Sequence, residues 1–274
     1  MKRSAICTVL GVVLLFLGLP LRASSACTNP NSILDATYGW LAEGMLAAGN
    51  SKAPKIGDFI PLVQVGYITF DGNGNFSGAH DTSLGGALVP HLDSGTYSVN
   101  SDCTTGTISF ATGIGFTVNI VITSGGQEIK FVSATTGGVT PGTLRLEAVA
   151  PCSASALSGK SYGYAAHGLV GAGSGNSFRR VGGFVPFADE GQISFGADGT
   201  ISGVNNANFG GVVMPGQPVA GTYIVNSDCT ETVTMTIAGV DASWHFVVLQ
   251  GAEQIIFIAT PSGYVWGGTL TGIS

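Results

Sequence analysis

Hydrophobic and polar positions alternate with a period of two through most of this chain, in runs of six to ten residues separated by Gly, Asn, Asp or Ser. Between Thr37 and Val149 the runs are "TYGWLAEG", "PLVQVGYITF", "NFSGAHDTS", "GTYSVNS", "TGTISFAT", "FTVNIVIT", "EIKFVSAT" and "GTLRLEAV". Such alternation predicts half-buried β-strands, and no sustained 3.6-residue period predicts helices. The intervals are too short for crossover helices, so neighbouring strands must pair antiparallel. Eight meandering strands remove their exposed edges by closing into an up-and-down barrel, with an open sandwich as the alternative architecture.

The pattern then repeats. "GTYSVNSDC" from Gly95 returns as "GTYIVNSDC" from Gly221, "GYITFDGNGNFSG" from Gly66 as "GQISFGADGTISG" from Gly191, and "KIGDFIP" from Lys55 as "RVGGFVP" from Arg180. The constant offset predicts two copies of one domain-sized unit, 27–149 and 150–274, in an all-β chain of tandem eight-stranded barrels. Shared parity assigns an inward face to Ile68 and Phe70, Tyr97 and Val99, Ile108 and Phe110, Val118 and Ile120, and Ile129 and Phe131. The second copy repeats it at Ile193 and Phe195, Tyr223 and Val225, Trp244 and Phe246, and Ile255 and Phe257. An eight-stranded barrel is either just filled or holds one small ligand, and alternation does not choose between them.

Residues 1–26 read differently. Lys2 and Arg3 precede an apolar run from Ala5 to Leu21, and "ASSA" supplies small residues before Cys27, the three parts of a secretory signal peptide. Export to the periplasm or the extracellular space is expected. Cys27 directly follows the signal, but "SSAC" lacks the Leu of a lipobox, which argues against a lipid anchor. Four cysteines then remain, Cys27 and Cys103 in one copy, Cys152 and Cys229 in the other. Four cysteines allow three pairings, and the repeat favours one bond within each copy. Each closure is worth about 4 kcal/mol on the chain-entropy account.

Without the signal the chain carries 16 acidic and 7 basic side chains, a net charge of −9. No basic stripe is available for phosphate backbones, which excludes nucleic acid as an expected partner, and no later segment suits a transmembrane helix. Apolar inward faces and the ending "TGIS" also argue against an outer-membrane barrel.

Letter matches to reactive motifs fail on context. "GKSYG" at Gly159 opens a strand where a nucleophile elbow needs a strand-to-helix turn, and its Ser161 answers to Thr37. "DGNGN" at Asp71 lacks the Gly and bidentate Glu of a calcium loop. "GAGSGNS" at Gly171 has no flanking strand and helix to make a phosphate cradle. His80, His91, His167 and His245 show no metal-ligand spacing, so no metal or cofactor is expected. Glu43 aligns with His167, and their parity predicts an outward, solvated pair of positions.

Lys55 and Arg180 recur at equivalent sites, with Lys52 and Arg179 beside them, in the long connection after the first strand of each copy. A cation over a barrel mouth suits the carboxylate of an otherwise apolar ligand. Tyr97 and Tyr223 would be polar handles, with Phe131, Phe257 and Trp244 as apolar lining. Outward apolar residues at Val121 and Val132, or Val247, Ile256 and Ile258, are candidates for barrel-to-barrel contact.

The "YG" strands, the "ITFDGNGNFSG" and "ISFGADGTISG" hairpins and the "GTYxVNSDC" phrase resemble small exported bacterial β-barrel proteins related in form to calycins and allene-oxide-cyclase-like barrels. That resemblance implies barrel geometry and an apolar cavity, and carries over no catalytic residue. The expected function is a non-catalytic binding protein for a small apolar or amphipathic molecule, anionic ones included, held inside the barrels. The alternatives are a packed structural or surface-interaction module, and a cyclase or isomerase working through cavity shape.

Overall fold

The computed structural model describes residues 27–49, 51–112, 115–148, 150–172, 180–237 and 239–273. The expected signal peptide and Arg179 lie outside them. The first unit holds β1 (Thr37–Ala47), β2 (Phe59–Phe70), β3 (Asn75–Leu84), β4 (Ala87–Val99), β5 (Thr105–Phe110), β6 (Thr117–Thr123), β7 (Glu128–Ser133), the two-residue β8 (Gly138–Val139) and β9 (Pro141–Leu146). The second holds β10 (Ser161–Gly171), β11 (Phe184–Phe195), β12 (Thr200–Phe209), β13 (Val212–Val225), β14 (Thr230–Ile237), β15 (Val240–Val248), β16 (Gln254–Ala259) and β17 (Tyr264–Gly272). Pairing of β1 with both β2 and β9 closes the first barrel, and pairing of β10 with β11 and β17 closes the second. All pairs are antiparallel, so the chain is two eight-stranded up-and-down barrels in tandem.

The inward parity holds in every strand for which it was expected. Ile68, Phe70, Ile108, Val118 and Ile129 are buried in one aromatic and aliphatic core, and Ile193, Phe195, Trp244, Ile255 and Phe257 in the other. One difference matters for the site. β4 starts at Ala87, well before "GTYSVNS", because Gly85 and Gly86 take φ of +58° and +88° and make a tight turn that extends the β3–β4 hairpin. That extension pairs His80 with His91 and Gly78 with Asp93.

Each barrel has one plugged end. A 3-10 turn, Pro30–Ile33, buries Leu34 beneath the first barrel, and the Tyr97 hydroxyl donates to the carbonyls of Leu34 and Asn31 at 2.8 and 3.0 Å. The equivalent turn Ala154–Ala156 leads into buried Leu157, and Tyr223 donates to the Gly196 carbonyl at 2.9 Å. Cys27–Cys103 and Cys152–Cys229 tie each plug to the turn after "GTYxVNS", with Cα atoms 6.2 and 4.9 Å apart. The repeated phrase thus carries a plug anchor and its covalent tether. Two disulfides fit an oxidising compartment.

The barrels meet along an apolar strip where Val63 and Val65 of β2 cluster with Val247, Leu249, Ile256 and Ile258 of the second barrel. β2 and β16 are therefore buried on both faces. Val121 and Val132 are each 48% exposed and take no part, so only the second-copy candidates form the junction. Glu43 and His167 lie on the outward faces that parity assigns them, with 28% and 71% of their side chains exposed, and they also face each other, Oε2 to Nε2 at 2.8 Å, because strands on the two barrels run side by side there. His245 and Asp81 make a second pair at 2.6 Å. With apolar burial carrying the junction, Asp81→Asn and Glu43→Gln are each expected to cost less than about 1 kcal/mol in urea unfolding.

Candidate functional site

The two barrels differ at the end opposite the plug. In the first, the mouth opens into a cavity of about 210 Å³ whose wall includes Trp40, Leu62, Leu84, Phe110 and Phe116. Below Trp40 only about 10 Å³ remains empty, so the lower part is packed. In the second, register equivalence replaces Leu62 and Leu84 by Phe187 and Phe209 and puts Trp266 where the first barrel has Thr140. Phe187 lies 4.6 Å from Phe209 and 4.9 Å from Trp266, ring centre to ring centre, and these rings fill the mouth. Larger side chains at three equivalent positions thus decide which barrel is hollow.

A polar cluster from neighbouring strands sits on the wall of the first cavity. His80 on β3 places Nδ1 2.5 Å from Asp93 Oδ2 on β4, with the two side chains 8% and 4% exposed. The Gln64 amide on β2 donates to Thr82 Oγ1 at 3.0 Å and faces His80 Nε2 at 3.3 Å. The His80 ring lies 4.7 Å from Trp40 and stacks on His91 at 4.8 Å. Burial, then the neighbouring His80, holds His91 below the usual imidazole range and favours its neutral form. Trp40 Nε1 is buried and has no hydrogen-bond partner among the described residues. Gly66 is opposite His80, and a Cβ there would fall 2.4 Å from His80 Cα, so a side chain would displace the strand carrying the imidazole.

The second barrel keeps a different network at this level. Asp189, Asn205 and Tyr164 replace Gln64, His80 and Trp40, and Val219 replaces Asp93. Asn205 Nδ2 donates to Asp189 Oδ1 at 3.0 Å and Tyr164 donates to the same oxygen at 3.3 Å. Burial pushes the Asp189 carboxyl up to about 7 against these bonds.

The residues singled out in the sequence are distributed over both barrels. Tyr97 and Tyr223 occupy the plugged ends and spend their hydroxyls on main-chain carbonyls. Trp244 and Phe257 stack at 4.5 Å in the packed second core. Phe131 stands edge-on to Trp40 at 5.9 Å, just under the first cavity. Lys55 and Arg180 are exposed on loops that touch each other, Gly182 lying against the Lys55 carbonyl, while Ala53 and Pro54 rest on the Gly85 turn at the rim. In the sequence His80 and His91 stand out only as histidines without metal-ligand spacing, and Asp93 and Gln64 do not stand out at all, since none recurs between copies. Their signal was the "GG" turn, which sets the hairpin register once β4 is extended through Pro90. A wider groove of about 1020 Å³ runs outside along the junction past Glu43, Lys130, His167 and Glu190, open to solvent along its length.

Fold and site together define a tandem β-barrel protein whose first barrel opens at its mouth into an aromatic-walled cavity. No family model matches the chain, nor does any curated protein. Among solved structures it is similar to a protein of unknown function from the DUF3598 family of Nostoc punctiforme, at 9% identity over 90% of this chain and 98% of that one, with a TM-score of 0.21. It is likewise similar to CghA, at 9% identity over 88% and 89% of the two chains with a TM-score of 0.26. A third is isotype 1 transferrin binding protein B from serogroup B Neisseria meningitidis, at 7% identity over 86% and 76%, with a TM-score of 0.29. Superpositions this loose transfer no site residue.

Proposed function

We propose that this is an exported binding protein that holds one small, largely apolar molecule in the mouth of the first barrel, while the second barrel is a packed partner. The cavity of about 210 Å³ bounded by Trp40, Phe110 and Phe116 carries the reading. It lies below the roughly 300–1,000 Å³ of pockets for drug-sized ligands, so the molecule is compact, of the size of one substituted ring. Lys55, on the loop resting against the rim, and Arg180, on the loop that touches it, are the cations proposed to meet an anionic tail. The calycin-like resemblance belongs to the same reading and adds no residue to it. Export rests on residues 1–26 and agrees with the two disulfides.

Calorimetric titration with p-cresol and with benzoate, followed in parallel by tryptophan emission, tests the site. The reading expects a dissociation constant of about 1 mM or tighter for at least one of them, and a change in emission that disappears in Trp40→Phe. No heat and no emission change for either at about ten times that concentration would remove it.

A further inference from the structure

The cavity holds more than binding alone requires. An apolar pocket needs a few polar groups to orient a ligand, yet this one contains an imidazole whose two nitrogens are separately assigned by their neighbours. Asp93 Oδ2 accepts from His80 Nδ1–H at 2.5 Å, and the Gln64 amide presents N–H to Nε2 at 3.3 Å. The neutral ring accordingly keeps its proton on Nδ1 and its lone pair on Nε2, where the Gln64 contact is long and readily given up because that amide has Thr82 Oγ1 as its nearer acceptor at 3.0 Å. A carboxylate that fixes the tautomer of an imidazole beside a cavity is the arrangement of a general base with its orienting group. The His245–Asp81 pair provides the contrast. It has a similar separation, 2.6 Å, but sits at the barrel junction with 38% and 22% of its side chains exposed.

A further observation points the same way. The second barrel, built on the same strands, has Asn205 and Val219 in place of His80 and Asp93, so the imidazole–carboxylate pair belongs to the first barrel alone among the described residues.

We infer that the first barrel is a proton-transfer site: His80 Nε2 removes a proton from carbon in a small planar carbon acid, and Asp93 positions the imidazole. The C–H bond breaks, its electron pair moves into the adjoining carbonyl or imine system, and the proton becomes the second N–H of an imidazolium. Return of that proton to a different carbon completes an isomerisation with no other reactant. This inference rests on the cavity being a ligand site and adds chemistry to it.

The test uses 5-nitrobenzisoxazole and the whole exported chain. Removal of its acidic ring proton sends the C–H pair into a nitrile, breaks the N–O bond and leaves a coloured cyanonitrophenolate, with the proton carried to water by the base. Turnover is expected to fall by about 10²-fold or more in His80→Ala and to be restored by added imidazole, which fits the space vacated. Asp93→Asn is expected to lower kcat by about tenfold or more while KM stays within about twofold, the split expected of a positioning group. Circular dichroism and thermal unfolding check that each variant is folded. If His80→Ala misfolds, Asp93→Asn and His80→Gln in the folded state decide. Binding of the probe, seen by Trp40 emission, with a rate unchanged by these variants would overturn the inference and leave the binding reading standing. Absence of binding would overturn both.

Discussion

Replacing Glu231 by Leu is expected to stabilise the protein by roughly 3–5 kcal/mol at pH 8 and by little at pH 4.5. Glu231 points into the second barrel from β14, is 1% exposed, and neither carboxyl oxygen has a hydrogen-bond partner among the described residues. Burial pushes its carboxyl from 4.5 up to about 8. The sign follows from proton counting. Between those values the folded state keeps the proton and the unfolded state has lost it, so the contribution is full below 4.5 and is lost as pH rises through 8. Urea unfolding at pH 5 and pH 8 measures it, with a steep loss in the wild type and a shallower one in the variant. A residual slope is expected from Glu147, which burial and then Asp228 push up to about 8, and from Asp189. The first barrel has Gly106 at the equivalent register position and escapes this cost. Identical slopes in the two proteins would show that Glu231 is solvated or paired.

Exchanging the residues that distinguish the mouths has the second large effect. Trp266→Ala removes an indole that packs on Phe187, Trp244 and Phe257, and is expected to cost about 3–5 kcal/mol in urea unfolding. Thr140→Trp places an indole into the open first mouth. It should change stability by no more than about 1–3 kcal/mol, the usual range for added core volume, while weakening binding of the small aromatic probes at least tenfold. A Thr140→Trp protein that still bound them normally would show that the ligand sits elsewhere.

Strand count, closure and inward faces were legible because alternation is a backbone property, set by which side of a strand each residue occupies. The cysteine pairing was legible because a duplicated chain places equivalent bonds at equivalent turns. Val247, Ile256 and Ile258 betrayed the junction by being apolar on a face that alternation assigns to solvent. Val121 and Val132 gave the same local signal and are exposed, since alternation says which way a side chain points and not what covers it. Hollowness was illegible for a related reason. It turns on summed side-chain volume where Thr140 faces the space that Trp266 occupies in the other barrel, and both choices satisfy the same pattern. The His80–Asp93 pair was hidden by register. Its two residues meet only because Gly85 and Gly86 allow a tight turn, and Pro90 disguised the strand that follows. Glu43 and His167 were assigned the correct face, but their meeting depends on how two closed barrels dock.

The central claim is that duplication produced one hollow barrel and one solid one. The number and place of binding sites tests it most directly, from a crystal soaked in p-cresol together with the stoichiometry of titration. The account predicts one molecule per chain, in contact with Trp40 and His80 at the mouth of the first barrel. A second molecule among Phe187, Phe209 and Trp266, or an empty first mouth in crystals whose protein binds the probe in solution, would contradict it.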